Sequence, residues 1–191
     1  MRCFVAIELP LQVKTELARI QQQYRKAGMG FLRWVSPNSI HLTLKFLGEL
    51  PEESVAGIMK AIDEAVRGVA PFELELNGLG VFPLTRAPRV FWAGIGGDVD
   101  SLKNLQANVD VALGLLGYEE ESREFTAHLT LARVRDDATP QERQALGELV
   151  AASRLASRAY FTAVETCLMR SELKPTGPVY TRLAATPLVG R

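Results

Sequence analysis

Both histidines of this chain begin the same tetrapeptide, His41-Leu42-Thr43-Leu44 and again His128-Leu129-Thr130-Leu131. Side chains alternate along a strand, so each copy turns an imidazole and a hydroxyl to one face and two leucines to the other. His and Thr then stand about 6–7 Å apart along the backbone. That spacing spans a small tetrahedral group, with the imidazole at a reacting oxygen and the hydroxyl at a non-bridging one. Two such strands facing each other would offer two titratable groups and two donors, which suits displacement at phosphorus. One imidazole takes a proton from the nucleophile while the other gives one to the leaving oxygen. A lone strand histidine is usually structural; its repetition in the same tetrapeptide is what raises a catalytic reading. Zinc is disfavoured, because two distant histidines without a Cys or carboxylate cluster fall short of a ligand set. A Ser-His-Asp site would use one histidine, not a symmetrical pair.

The elements that must position these residues follow from apolar periodicity. Cys3–Leu9 reads as a buried strand and Pro10 to about Ala27 as a helix, with Val13, Leu17 and Ile20 on one stripe. Phe31–Val35 is a short strand and Ile40–Leu47 carries the first tetrapeptide, followed by a helix from Pro51 to about Val69. Phe72–Leu76 and Val90–Ile95 read as strands, with a Gly- and Pro-rich loop or irregular edge at Asn77–Pro88 between them. Asp98 or Ser101 can cap a helix to about Leu116, and Phe125–Val134 carries the second tetrapeptide. Thr139-Pro140 opens a fourth helix ending near Ser153. Tyr160–Met169 and Val179–Pro187 are two closing strands joined by a Pro175–Pro178 turn.

Residues 3–69 and 90–153 share this order, and Phe4-Val5-Ala6-Ile7 answers Phe91-Trp92-Ala93-Gly94-Ile95. An internal duplication within one bilobal domain over residues 1–191 is expected. Its fold class is α+β, with two antiparallel sheets lining a central cleft about a pseudo-two-fold axis and helices outside.

The 191 residues are 47% hydrophobic and 23% charged, with 22 basic and 22 acidic side chains. Zero net charge argues against a long track for duplex nucleic acid, though a single phosphate or a short RNA end needs only a few groups. The N-terminal apolar run breaks at Glu8, too early for a signal peptide, and no stretch approaches a membrane span. Cys3 and Cys167 read as buried free thiols. A reduced, cytoplasmic protein is expected.

The paired H-x-T-x motifs resemble those of the 2H phosphoesterase superfamily. The runs Arg2–Ile7, His41–Gly48, His128–Arg133, Ser171–Leu173 and Gly177–Tyr180 are similar to its RNA 2′,3′-cyclic phosphodiesterase branch, also called 2′-5′ RNA ligase. Ala127 departs from that pattern, in which proline often precedes the second histidine. The resemblance implies hydrolysis of a terminal 2′,3′-cyclic phosphate to a 2′-phosphomonoester without metal or other cofactor. His128 would be the proton acceptor, His41 the proton donor, and Thr43 and Thr130 the holders of the non-bridging oxygens. It implies RNA 3′ ends or small cyclic nucleotides as partners, with no membrane or obligate protein partner and a monomeric chain. Reversible 2′-5′ ligation of RNA ends and a non-catalytic nucleotide-binding module are the alternatives.

Phe46 and Arg133 each lie five residues after their histidine. The family pattern makes Arg133 a phosphate ligand, and an aromatic such as Phe46 could stack a base. Strict alternation nevertheless turns both away from the histidines, so each strand must bulge, twist or end first. By the same parity Lys45 shares the His41 face and could attract the RNA phosphate. Arg86 and Arg89 read as solvated loop charge, and Trp34 and Trp92 as core.

Overall fold

In the computed structural model, residues 1–190 are described apart from 121, 123, 156–157 and 175–176. Within these residues the order is β1 (Arg2–Glu8), α1 (Leu11–Lys26), β2 (Leu32–Trp34), β3 (His41–Glu49), α2 (Val55–Ala65), β4 (Phe72–Phe82) and β5 (Val90–Gly97). Then come α3 (Val99–Gly114), β6 (His128–Val134), α4 (Pro140–Ala152), β7 (Tyr160–Ala163), β8 (Glu165–Lys174) and β9 (Gly177–Pro187). The strands form two sheets, β3-β1-β8-β9 and β2-β6-β5-β4-β7. All their pairings are antiparallel. The α+β class with two antiparallel sheets is as the sequence implies.

Local chemistry sets the helix starts. Asp98 caps α3 by accepting from the Ser101 amide at 3.0 Å. Thr139 and Glu142 form a reciprocal capping box on α4, with Pro140 at its first position. The apolar stripe of α1, Val13, Leu17 and Ile20, is fully buried.

Two expectations change. The single strand expected over Tyr160–Met169 is two, β7 in the five-stranded sheet and β8 in the four-stranded one. A run of apolar residues does not reveal that the chain switches sheets at the exposed Val164. The stretch from Asn77 is not simply loop, because β4 continues to Phe82 through an irregularity between Leu76 and Leu79. Gly78, at φ 79°, supplies the turn there that a side chain would oppose. The turn expected at Pro175–Pro178 falls partly on residues 175–176, outside the described residues.

The helices cross between sheets. Gln21 and Tyr24 of α1 reach β6 and Phe91 of β5 in the five-stranded sheet. Gln106 and Asp110 of α3 reach β3 in the four-stranded sheet. Strand β2, which follows α1, also joins the five-stranded sheet, pairing with β6. Each sheet is thus covered in part by a helix from the other half of the sequence. Both cysteines are buried and unpaired, and burial pushes the Cys167 thiol up to about 12.

Candidate active site

The two tetrapeptide strands open alike. Nδ1 of His41 lies 2.9 Å from the Ser39 carbonyl, and Nδ1 of His128 lies 2.7 Å from the Thr126 carbonyl. A carbonyl only accepts, so each neutral imidazole carries its proton on Nδ1 and presents the lone pair of Nε2. Neither Nε2 has a hydrogen-bond partner among the described residues. Leu42, Leu44, Leu129 and Leu131 fill the core, while His41, Thr43, His128 and Thr130 stay half-buried. Both strands therefore follow the expected alternation through the tetrapeptide.

Beyond it, both strands break alternation at the same place. Strand β1 pairs Ala6 with Thr43 and Val5 with Lys45, leaving Leu44 unmatched. Strand β5 pairs Trp92 with Thr130 and Phe91 with Ala132, leaving Leu131 unmatched. One extra residue reverses the parity of the residues that follow it, in β3 until the register slips again at Leu47. Phe46 and Arg133 consequently return to the histidine face. Phe46 is 70% exposed, and its ring lies 6.1 Å from Phe4, which itself stacks on His41. The same slip overturns the expectation for Lys45. It is 5% exposed, paired with Asp110 and donating to the Glu119 carbonyl at 2.7 Å, so it points away from His41. The register also aligns Phe91 with Val5 rather than with Phe4.

Each bulge has a glutamine behind it. Gln21 of α1, nearly fully buried, donates to the Leu131 carbonyl at 2.9 Å and to Val35 at 2.7 Å. Gln106 of α3 donates to the Leu44 carbonyl at 3.5 Å. The Leu131 carbonyl also accepts from the Val35 amide at 3.0 Å, so Gln21 adds a second donor to it and supplies one to Val35. Sequence reasoning missed these residues; a polar residue inside the apolar stripe of each helix was the available signal.

Aromatic rings frame both imidazoles. His41 stacks on Phe4 at 4.5 Å and 22°, with Tyr180 edge-on at 4.9 Å. His128 meets Phe82 edge-on at 5.1 Å, and Trp92 lies 6.3 Å away. Trp92 is therefore beside the site rather than in the core, because its pairing with Thr130 puts it on the Thr130 face. Gly80 leaves space for it: a Cβ there would stand 2.2 Å from the indole. Trp34 packs edge-on against the buried Phe91, as a core residue would. Arg86 and Arg89 are exposed.

Burial pushes His41 down to about 4, opposed by its Ser39 hydrogen bond and by the negative charge of Glu8. Burial raises the Tyr180 phenol, opposed by the positive charges of Arg133 and Arg2. Arg133 on one sheet is thus felt by a residue of the other. A pocket of about 260 Å³ opens beside His41, lined by Glu8, Lys14, Ser39, Met169 and Tyr180 among others. Glu8, Glu165 and Cys167 bring potential metal-ligand atoms within 4.8 Å of one another. Arg182 already holds both carboxylates, at 3.1 and 2.7 Å.

Two sheets carrying matched His-x-Thr strands define the two-histidine phosphoesterase class. The chain belongs to the LigT like Phosphoesterase family, whose model matches residues 7–92 and 97–180. It is 33% identical over 181 residues to an RNA 2′,3′-cyclic phosphodiesterase of Methanothermobacter thermautotrophicus, covering 95% of each chain. It is 35% identical to one of Thermus thermophilus, covering 100% of this chain and 91% of that one. A crystal structure of a Thermus thermophilus protein superposes with a TM-score of 0.79 at 31% identity, covering 100% of this chain and 99% of that chain.

Proposed function

We propose that this protein hydrolyses the 2′,3′-cyclic phosphate at RNA 3′ ends to a 2′-phosphomonoester, by acid–base catalysis that needs no metal. The observation carrying this reading is the matched fixation of both imidazoles, each with Nδ1 bound to a carbonyl and Nε2 left for proton transfer. Nε2 of His128 accepts the proton of the attacking water, and Nε2 of His41 donates to the departing 3′ oxygen. Thr43 and Thr130 hold the non-bridging oxygens as charge grows in the transition state. Arg133 supplies positive charge for the RNA phosphate, and Phe46 an exposed ring for a base. Free His41 is neutral at pH 7. The arriving phosphate anion provides the counter-charge that favours its protonated, donating form.

The halves 3–69 and 90–153 act as a duplication within one bilobal domain over residues 1–191, so that each contributes one His-Thr pair. No helix among the described residues is long and apolar enough to cross a membrane. The reading is of a monomer that works in the cytoplasm on RNA ends or small cyclic nucleotides.

Phosphorus NMR of the product from a 2′,3′-cyclic nucleotide is the direct test. A 2′-monophosphate is expected; a 3′-monophosphate would reverse the assignment of the leaving oxygen. His41→Ala and His128→Ala should each lower kcat by about 10²–10⁴, with wild-type activity unchanged by EDTA. Wild-type rates in either variant, or loss of activity in EDTA, would overturn the mechanism.

A further inference from the structure

Strand β2 is a three-residue edge strand, paired to β6 so that Arg33 lies directly opposite Arg133. Its neighbours Leu32 and Trp34 turn inward, Leu32 buried and Trp34 against Phe91. Arg33 therefore projects from the other face, the one to which the β6 bulge returns Arg133. Directly opposed residues hold their Cβ atoms about 5 Å apart, and like charges so placed are destabilising. Both arginines are exposed, and neither makes a salt bridge or hydrogen bond among the described residues. The nearby Asp137 feels the charge of Arg33, but both its oxygens are bonded to Arg135, at 3.1 and 3.2 Å. A chain with no net charge thus sets two arginines directly opposite each other at the far end of the His128–Thr130 strand.

We infer that Arg33 and Arg133 form a second anion subsite, which holds the internucleotide phosphate on the 5′ side of the terminal nucleoside. The inference rests on the proposed hydrolysis of cyclic phosphate. Guanidinium forks match the oxygens of a phosphodiester, and an anion between them relieves the repulsion. A cyclic mononucleotide has one phosphate, held by the His-Thr pairs; only an oligonucleotide offers a second. Arg33 would thus make the enzyme prefer RNA ends to free cyclic nucleotides. It comes from the first half of the chain and acts on the strand of the second.

The test compares kcat/KM for 2′,3′-cyclic AMP with that for a short RNA ending in a 2′,3′-cyclic phosphate. Arg33→Gln should lower the RNA-to-mononucleotide ratio by about tenfold, the effect of losing one charge-assisted hydrogen bond. It should also make the salt dependence on RNA shallower by about 0.7 in log–log slope, one single-strand phosphate contact. Arg33→Lys, which keeps the charge, should retain most of that slope. An unchanged ratio in Arg33→Gln, or an equal fall on both substrates, overturns the subsite while leaving cyclic-phosphate hydrolysis standing. A wild-type protein that opens neither substrate overturns the hydrolysis itself.

Discussion

Burial sets His41 apart from an imidazole in water. Its ring is packed against Phe4 and Tyr180, and the charged form loses solvation there, which brings its pKa to about 4. In the unfolded chain the value returns to about 6.5. Between these values the unfolded chain binds the proton that the folded chain refuses, so stability falls as pH drops through that window. The loss is on the order of 3 kcal/mol once the pH is below 4. Urea unfolding of wild type and His41→Gln at pH 7 and pH 4.5 measures it. The wild type should lose more stability than the variant over that interval, and equal losses would show that His41 is not held neutral by its packing.

At the scale of elements, the decisive feature is the bulge that β3 and β6 share. It turns a two-residue repeat of imidazole and hydroxyl into a longer face that also carries Phe46 and Arg133, and it sends Lys45 inward to Asp110. The glutamines behind the bulges hold them unequally: Gln21 makes two short bonds, Gln106 one at 3.5 Å. Gln21→Leu should therefore destabilise by about 1–3 kcal/mol, since it takes the donor from the Val35 carbonyl and one of two donors from the Leu131 carbonyl, and Gln106→Leu by less. Denaturant midpoints at constant m-value give both numbers. A Gln106→Leu cost as large as that of Gln21→Leu would contradict this ranking. By displacing Arg133, Gln21→Leu should also raise KM for RNA.

At the scale of the molecule, the halves are interlocked. Helix α1 of the first half packs on the five-stranded sheet, α3 of the second packs on the four-stranded one, and β8 and β9 complete the sheet begun by β1. Neither half can bury its own apolar faces alone. Unfolding in urea should be one transition, with tryptophan fluorescence from Trp34 and Trp92 coinciding with far-UV circular dichroism. Separated transitions would mean that the sheets fold independently.

The tetrapeptides, their strand parity, most helix limits and the α+β class were legible in the sequence, because period, capping residues and a repeated motif are local properties. The alternation that predicts His41 and Thr43 on one face depends only on neighbouring peptide geometry. Three things were not local. The extra residues Leu44 and Leu131 are defined by what β1 and β5 leave unmatched, so no reading of β3 or β6 alone places Phe46, Arg133 or Lys45. The switch of sheet between β7 and β8 depends on which edges remain open to pair. The facing of Arg33 and Arg133, 100 residues apart in the chain, exists only because β2 crosses to the other half's sheet. The sequence by itself singled out the groups proposed for the chemistry. Tertiary pairing decided which residues stand beside them, because parity after a bulge belongs to the pair of strands and not to either one.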